Sequence, residues 1–239
     1  MQHSIAPTLL IALSLAACAD ADDEPPEEIP PANGSVEMDA ELIALFDGLS
    51  DRSQADDPLG FSDVDCTEDT WALSVDEWGG VDLDEVYAVA WDLPGERLGA
   101  PIALEWDGMA WSALVGTDTL GVGCDAAEST VFLFLPIQGE QLFAHVGSFA
   151  GEVWGAGYFG ISEVFLSFDT AETDTADRAA GWAINPFNGL SWGPEDFEGR
   201  SGTWEAKFYP ETVEAPGIET VFLGFQAWSG DTPVGAASY

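Results

Sequence analysis

From about residue 62 to the end, the chain is a succession of short apolar runs rich in Val, Phe, Trp and Leu, each cut by Gly, Pro or Asp. Short runs of β-branched and aromatic residues between turn formers build strands rather than helices. The pattern therefore restricts the body of the chain to an all-β class. Blocks within it also recur in the same order. Val86-Tyr87-Ala88-Val89-Ala90-Trp91-Asp92 is matched by Val164-Phe165-Leu166-Ser167-Phe168-Asp169, and Trp106-Asp107-Gly108-Met109-Ala110-Trp111 by Phe187-Asn188-Gly189-Leu190-Ser191-Trp192. Thr130-Val131-Phe132-Leu133-Phe134 is matched by Thr220-Val221-Phe222-Leu223-Gly224, and Trp78-Gly79 by Trp154-Gly155. Such self-similarity predicts an internal duplication.

The Asp107-Gly108 and Asn188-Gly189 pairs each suit a type I′ turn, in which both central residues have positive φ, so each predicts a two-residue hairpin. In that register Trp106 faces Met109 and Leu104 faces Trp111. Pro186 then falls in a strand, where it cannot donate to the ladder, and predicts an edge or a bulge. Each copy holds five to seven short strands in roughly 80 to 95 residues, which resembles an immunoglobulin-like or fibronectin-III-like β-sandwich. The resemblance implies two tandem sandwiches, residues 62–142 and 143–239. A single larger sandwich or barrel with shared sheets is the alternative. Ahead of these, Leu42, Leu45, Phe46 and Leu49 recur at helical spacing with Asp39 as N-cap and Gly48 near the stop. Residues 39–61 therefore read as a short helix and strap on the first repeat.

At the N-terminus, Ile5 to Ala17 is an apolar stretch too short to span a bilayer. It ends in Leu15-Ala16-Ala17-Cys18, which resembles the lipobox of bacterial lipoproteins. Residues 1–17 are then a signal peptide, and Cys18 is the lipidation site and the first residue of an exported, membrane-anchored protein. The n-region Met1-Gln2-His3-Ser4 lacks the usual Lys or Arg, and Ala17 to Ala19 also fits an ordinary A-x-A cleavage site. Residues 18–38 follow as an acidic, proline-rich linker with a reach of about 50 Å where it is extended.

Forty-four acidic residues face five basic ones, a net charge of −39. Nucleic acid is excluded as a direct partner, because phosphate contacts need Lys and Arg. Apart from Cys18, the cysteines are the pair Cys66 and Cys124, which reads as a disulfide in an oxidising compartment. Closing a loop of about 58 residues contributes up to roughly 4 kcal/mol in the chain-entropy account.

Candidate chemistry is sparse. Trp71, Trp91, Trp106, Trp111, Trp182, Trp192, Trp204 and Trp228 sit in strand-like runs and are expected in the core. Trp78 and Trp154 lie beside glycines at strand ends and are the candidates for an exposed ligand-binding ledge. Asp82, Asp84 and Glu85, with Asp63 and Asp65 and with Glu172, Asp174 and Asp177, fall in expected loops and are candidate calcium ligands, although none follows EF-hand spacing. No other cofactor is implied. His145 is the histidine expected in the mature chain and lies on an apparent strand without a motif-borne nucleophile, and the nearness of Ser148 in sequence carries no signal. The chain carries neither a Gly-rich phosphate loop nor a CxxC pair. The sequence thus favours a non-catalytic, lipid-anchored envelope protein with a protein or glycan partner. A small sugar-binding protein or a carboxylate-based hydrolase is the alternative.

Overall fold

The computed structural model describes residues 34–52, 57–93, 97–151, 153–159, 164–170, 176–196, 198–200, 203–208 and 220–239. The opening segment runs through β1 (Gly34–Ser35), β2 (Glu37–Met38), α1 (Ala40–Asp47) and β3 (Ser50–Asp51). The first half then contains β4 (Leu59–Thr67), β5 (Thr70–Glu77), β6 (Glu85–Asp92), β7 (Arg97–Leu98), β8 (Ile102–Ala103), β9 (Glu105–Trp106) and β10 (Ala110–Gly116). After α2 (Thr117–Leu120) and a 3-10 turn at Cys124–Ala126 come β11 (Thr130–Gln138) and β12 (Gln141–Leu142). The second half contains β13 (Phe149–Gly151), β14 (Val153–Phe159), β15 (Val164–Thr170), β16 (Arg178–Ile184), β17 (Leu190–Asp196), β18 (Glu198–Arg200), β19 (Thr203–Phe208), β20 (Phe222–Ser229) and β21 (Thr232–Ser238).

These strands form four sheets among the described residues. A first outer sheet, β4-β5-β10-β9, faces a first inner sheet, β2-β7-β6-β11-β12-β3, with β8 also pairing β6. The second inner sheet, β1-β17-β16-β20-β21-β13, faces the second outer sheet, β14-β15-β19-β18. Trp71, Leu73 and Val75 of β5 pack against Val86, Ala88 and Ala90 of β6 and Phe132 and Phe134 of β11. In the second half, Leu223, Phe225 and Ala227 of β20 share a core with Val153 of β14 and Trp204 of β19. The chain is all-β, two sandwiches in tandem.

A third core joins the two inner sheets, where Val89 and Trp91 of β6 and Val131, Leu133 and Leu135 of β11 meet Trp182 and Ile184 of β16 and Phe222 of β20. The reason lies in β11, whose residues are buried from Thr130 to Ile137. Alternate side chains of a strand point to opposite faces, so a continuously apolar strand needs cover on both sides. The result is four stacked layers, outer, inner, inner, outer. The sandwiches therefore have distinct sheets but a common centre.

The two halves follow the same path, an outer hairpin (β4–β5, β14–β15), an inner strand (β6, β16), an outer strand (β10, β19) and an inner strand (β11, β20). The block alignment read from the sequence agrees with this path only at Thr130–Phe134 and Thr220–Gly224, on β11 and at the head of β20. Val86–Asp92 forms inner β6, whereas Val164–Asp169 lies in outer β15. The Asp107-Gly108 turn joins β9 to β10 in an outer sheet, whereas Asn188-Gly189 joins β16 to β17 in an inner one. A turn signal is local and says nothing about which layer its strands occupy.

Neither turn is type I′. In the first, Gly108 has φ +100° while neither Asp107 nor Met109 is in the positive region. Trp106 pairs with Trp111, and the Asp107 N–H donates to the Ala110 carbonyl at 3.1 Å. Gly108-Met109 is thus a two-residue loop with glycine at its first central position, the type II′ signature. The register is shifted from the expected one: Trp106 faces Trp111, not Met109. In the second turn, the Asn185 N–H donates to the Leu190 carbonyl at 2.9 Å and the Gly189 N–H to the Asn185 carbonyl at 2.8 Å. Pro186 lies in this loop and not in a strand, so its missing N–H interrupts no ladder.

The opening segment binds both sandwiches rather than the first alone. β1 pairs antiparallel with β17, β2 runs parallel to β7, and β3 parallel to β12. Asp39 caps α1 by accepting the Glu41 N–H at 2.8 Å. Leu42 and Phe46 are buried, with the Phe46 ring edge-on to Phe187 at 5.1 Å and to Phe222 at 6.0 Å. Asp51 then accepts from the Thr220 N–H and hydroxyl, each at 2.8 Å. Cys66 on β4 is disulfide-bonded to Cys124, with a Cα separation of 5.4 Å.

Candidate functional site

The first outer sheet carries an open face built by strand alternation. On β5, Trp71, Leu73 and Val75 point into the core, so Ala72, Ser74 and Asp76 point out. On β10, Trp111 and Val115 point in, so Ser112 and Leu114 point out. Asp63 pairs with Ser74, Ser74 with Ser112, and Ser112 with Glu105, which makes one polar row across all four strands. The next row is Asp65, Ala72 and Leu114. These small floor residues leave an open trough of about 610 Å³, walled by Asp63, Asp65, Glu105 and Leu114.

One end of this face is aromatic. A side-chain carbon on Gly60 would collide with Nε1, Cδ1 and Cε2 of Trp78, so the indole lies against the Gly60 backbone. The Trp78 N–H donates to the Pro58 carbonyl at 2.9 Å, which anchors that backbone. The ring nevertheless stays 64% exposed, and Phe61 beside it is 78% exposed. Their rings meet edge to face, with centroids 5.9 Å apart. Met109, at the neighbouring hairpin tip, is 83% exposed and Leu114 79%. The exposed large apolar residues among those described are Ile43, Phe61, Trp78, Trp106, Met109, Leu114, Phe149 and Tyr239. Five of these eight belong to this one sheet and its turns, Trp106 at the edge on the face of Trp111 and the other four on or beside the open face.

Trp78 is thus exposed, as expected. Trp154 lies in β14 at a register shift, and its side chain is outside the described residues. Trp106, expected in the core, is 45% exposed, because β9 is a two-residue edge strand with no strand beyond it among the described residues. Its ring lies 5.5 Å from that of Trp111, whose Nε1–H donates to Glu77 at 2.7 Å. Leu114 was missed by the sequence reading, yet it had a signal: it occupies the solvent phase of Trp111-Ser112-Ala113-Leu114-Val115, where alternation calls for a polar residue.

Four of the carboxylate candidates, Asp65, Asp84, Glu85 and Asp177, hold separate local hydrogen bonds. Asp63 and Asp65 lie on β4, not in a loop, and Asp65 accepts the Thr67 hydroxyl at 2.9 Å. Asp84 accepts the Gly139 N–H at 2.7 Å, and Glu85 accepts the Tyr87 hydroxyl at 2.9 Å. Burial of Tyr87, followed by that bond to Glu85, holds its phenol above the ordinary range. The main chain near Asp82 is tied by Gln138, whose amide donates to the Asp82 carbonyl at 2.9 Å. Asp177 accepts the Gly230 N–H at 3.2 Å; Glu172 and Asp174, like Cys18, lie outside the described residues. No three potential metal ligands converge among the described residues.

Hydrolytic geometry can be weighed directly. Asp63 and Glu105 are three strands apart, roughly 14 Å at about 4.8 Å per strand, and Asp63 and Asp65 stand side by side on one strand. Paired glycosidase carboxylates flank the bond at about 5 to 9.5 Å, a window that Asp63 and Glu105 miss and that the roughly 7 Å between Asp63 and Asp65 meets. The Ser148 hydroxyl accepts the Phe132 N–H at 2.7 Å in a buried network with Ser238. His145 Nε2 has no hydrogen-bond partner among the described residues, and its ring is edge-on to Phe222 at 4.8 Å. Burial lowers its pKa to about 4, opposed by the Tyr239 main chain and by Asp51.

No family model and no curated protein matches the chain. Among solved structures, the pullulanase of Anoxybacillus sp. LM18-11 in complex with maltotriose is 8% identical at a TM-score of 0.25, over 73% of this chain and 25% of that one. The same enzyme in a second crystal structure is 10% identical at a TM-score of 0.25, over 72% and 24%. The Group B Streptococcus pullulanase SAP is 11% identical at a TM-score of 0.26, over 72% and 22%. The chain thus spans about a quarter of those proteins. A likeness this distant assigns no function.

Proposed function

We propose that the protein is a lipid-anchored, non-catalytic binding module of the cell envelope, and that its contact surface is the open face of the first outer sheet. The observation that carries this reading is the set of exposed aromatic and apolar side chains on or beside this one face, Phe61, Trp78, Met109 and Leu114, on a sheet otherwise flanked by carboxylates. Isolated exposed apolar residues are ordinary, but several gathered on one face and rimmed by polar groups mark a contact site. Export and anchoring rest on the lipobox-like Leu15-Ala16-Ala17-Cys18, and the Cys66–Cys124 disulfide supports an oxidising compartment.

Hydroxyl-radical footprinting of the protein on intact cells, compared with the detergent-purified full chain, tests the surface. Trp78 and Met109 are expected to be protected on cells and freely modified in detergent. Equal modification in both states rules out an occupied contact face. Mass spectrometry of the membrane fraction tests the anchor: a mature N-terminus without lipid on Cys18 removes it.

A further inference from the structure

We infer that the ligand of this face is a neutral glycan chain, stacked on Trp78 and running along the trough toward Leu114; this rests on the binding-module reading above. The Trp78 indole is fixed before any ligand arrives. One side is seated on Gly60, where no side chain intervenes, and the backbone beneath it is held by the Trp78–Pro58 hydrogen bond. A flat, rigid aromatic face that is 64% exposed suits the C–H face of a pyranose ring and requires little ordering on binding. Phe61, edge-on at 5.9 Å, bounds the platform on the β4 side.

Beyond the platform the polar groups match sugar hydroxyls. The row Asp63, Ser74, Ser112 and Glu105 offers charge-assisted acceptors at both walls and hydroxyls on the floor. The floor is low because Ala72, Ser74 and Ser112 are small, and about 610 Å³ lies open above it, within the usual range of ligand sites. From Trp78 to the Leu114 row is about 20 Å of extended strand, enough for about four pyranose units. Charge selects among glycans. A net charge of −39 and carboxylates at both walls repel uronate or sulfate polymers, leaving neutral chains as the class that fits.

The test is titration of the full chain in detergent with the tetraoses maltotetraose, cellotetraose and chitotetraose, followed by tryptophan fluorescence and calorimetry, with polygalacturonate and poly-lysine as comparators. At least one neutral tetraose is expected to bind and to shift the fluorescence. Trp78→Ala should weaken that binding at least tenfold, and Trp78→Phe should restore part of it. Gly60→Val, which unseats the indole without touching ligand, should match Trp78→Ala, and Ser112→Phe, which fills the trough, should also abolish binding. Thermal unfolding separates a folding defect from a binding defect in each variant. Failure of all three tetraoses, or binding that ignores Trp78 and Ser112, overturns the glycan assignment. Trp78-dependent binding of poly-lysine alone overturns it while leaving the contact face intact. Absence of cellular footprint protection at Trp78 overturns the face as well.

Discussion

His145, a half-buried residue whose Nε2 is shielded from solvent, sets an acid limit on this protein. Histidine ordinarily titrates near 6.5, and burial takes the folded value to about 4. Between those values the unfolded chain binds a proton that the folded chain refuses, so stability is full above the ordinary value and is lost as pH falls toward the folded one. The loss attributable to His145 between pH 7 and 4.5 is about 2 kcal/mol. Urea unfolding of wild type and His145→Gln at both values isolates it, because the many carboxylates contribute equally to both proteins. Parallel pH profiles would show that His145 is not the cause. Asp51 is the second residue on which much depends. Its carboxylate satisfies both the N–H and the hydroxyl of Thr220, a residue far away in sequence. Removing it leaves two donors without their acceptor, and Asp51→Ala should cost about 2 kcal/mol in the same assay.

At the scale of elements, the strap and the hairpins do different work. Helix α1 is only eight residues long, too short to stand alone in water. Its stability comes from Leu42 and Phe46 in the shared core. Phe46→Ala deletes a ring that touches Phe187 and Phe222, and about 3 to 5 kcal/mol of stability should go with it. Since these partners lie in the second half, the loss should appear as one cooperative transition; separate melting of two halves would contradict a common core. The β9–β10 hairpin depends instead on Gly108, whose φ of +100° disfavours any side chain. Gly108→Val should destabilise by about 1 to 3 kcal/mol, read by the same unfolding curves. The Asp107 carboxylate, fixed by the N–H groups of Ala110 and Met109, is held below the ordinary range and stays charged at the tip.

Across the whole molecule, charge and topology meet. Forty-four acidic side chains against five basic ones repel one another more strongly when folding brings them together, and salt screens that repulsion within about 8 Å at physiological strength. The melting temperature should therefore rise between low salt and about 1 M NaCl; an unchanged or falling value would refute self-repulsion as a significant cost. The Cys66–Cys124 bridge spans 58 residues, and its reduction should remove up to about 4 kcal/mol. Four layers also explain how so acidic a chain folds at all. Among the described residues no Asp, Glu, Lys or Arg is buried, while β6, β11, β16 and β20 sink apolar side chains into three successive cores.

The strand class, the disulfide pair, the Asp39 cap and the exposure of Trp78 were legible in the residues, because each follows from local chemistry: alternation, cysteine parity, a carboxylate before a helix, an indole among glycines. The pairing of the layers was not. Thr130-Val131-Phe132-Leu133-Phe134-Leu135 is apolar at every phase apart from the opening threonine, which announces burial on both faces but not the identity of the second cover. Likewise Asp107-Gly108 announces a turn but not its register, which the pairing of Trp106 with Trp111 decides. Asp63, Ser74, Ser112 and Glu105 are widely separated along the chain, and only strand register sets them in one row. Local sequence determines what each segment is; which segments face one another is settled by the free energy of closing apolar surfaces that no segment can cover alone.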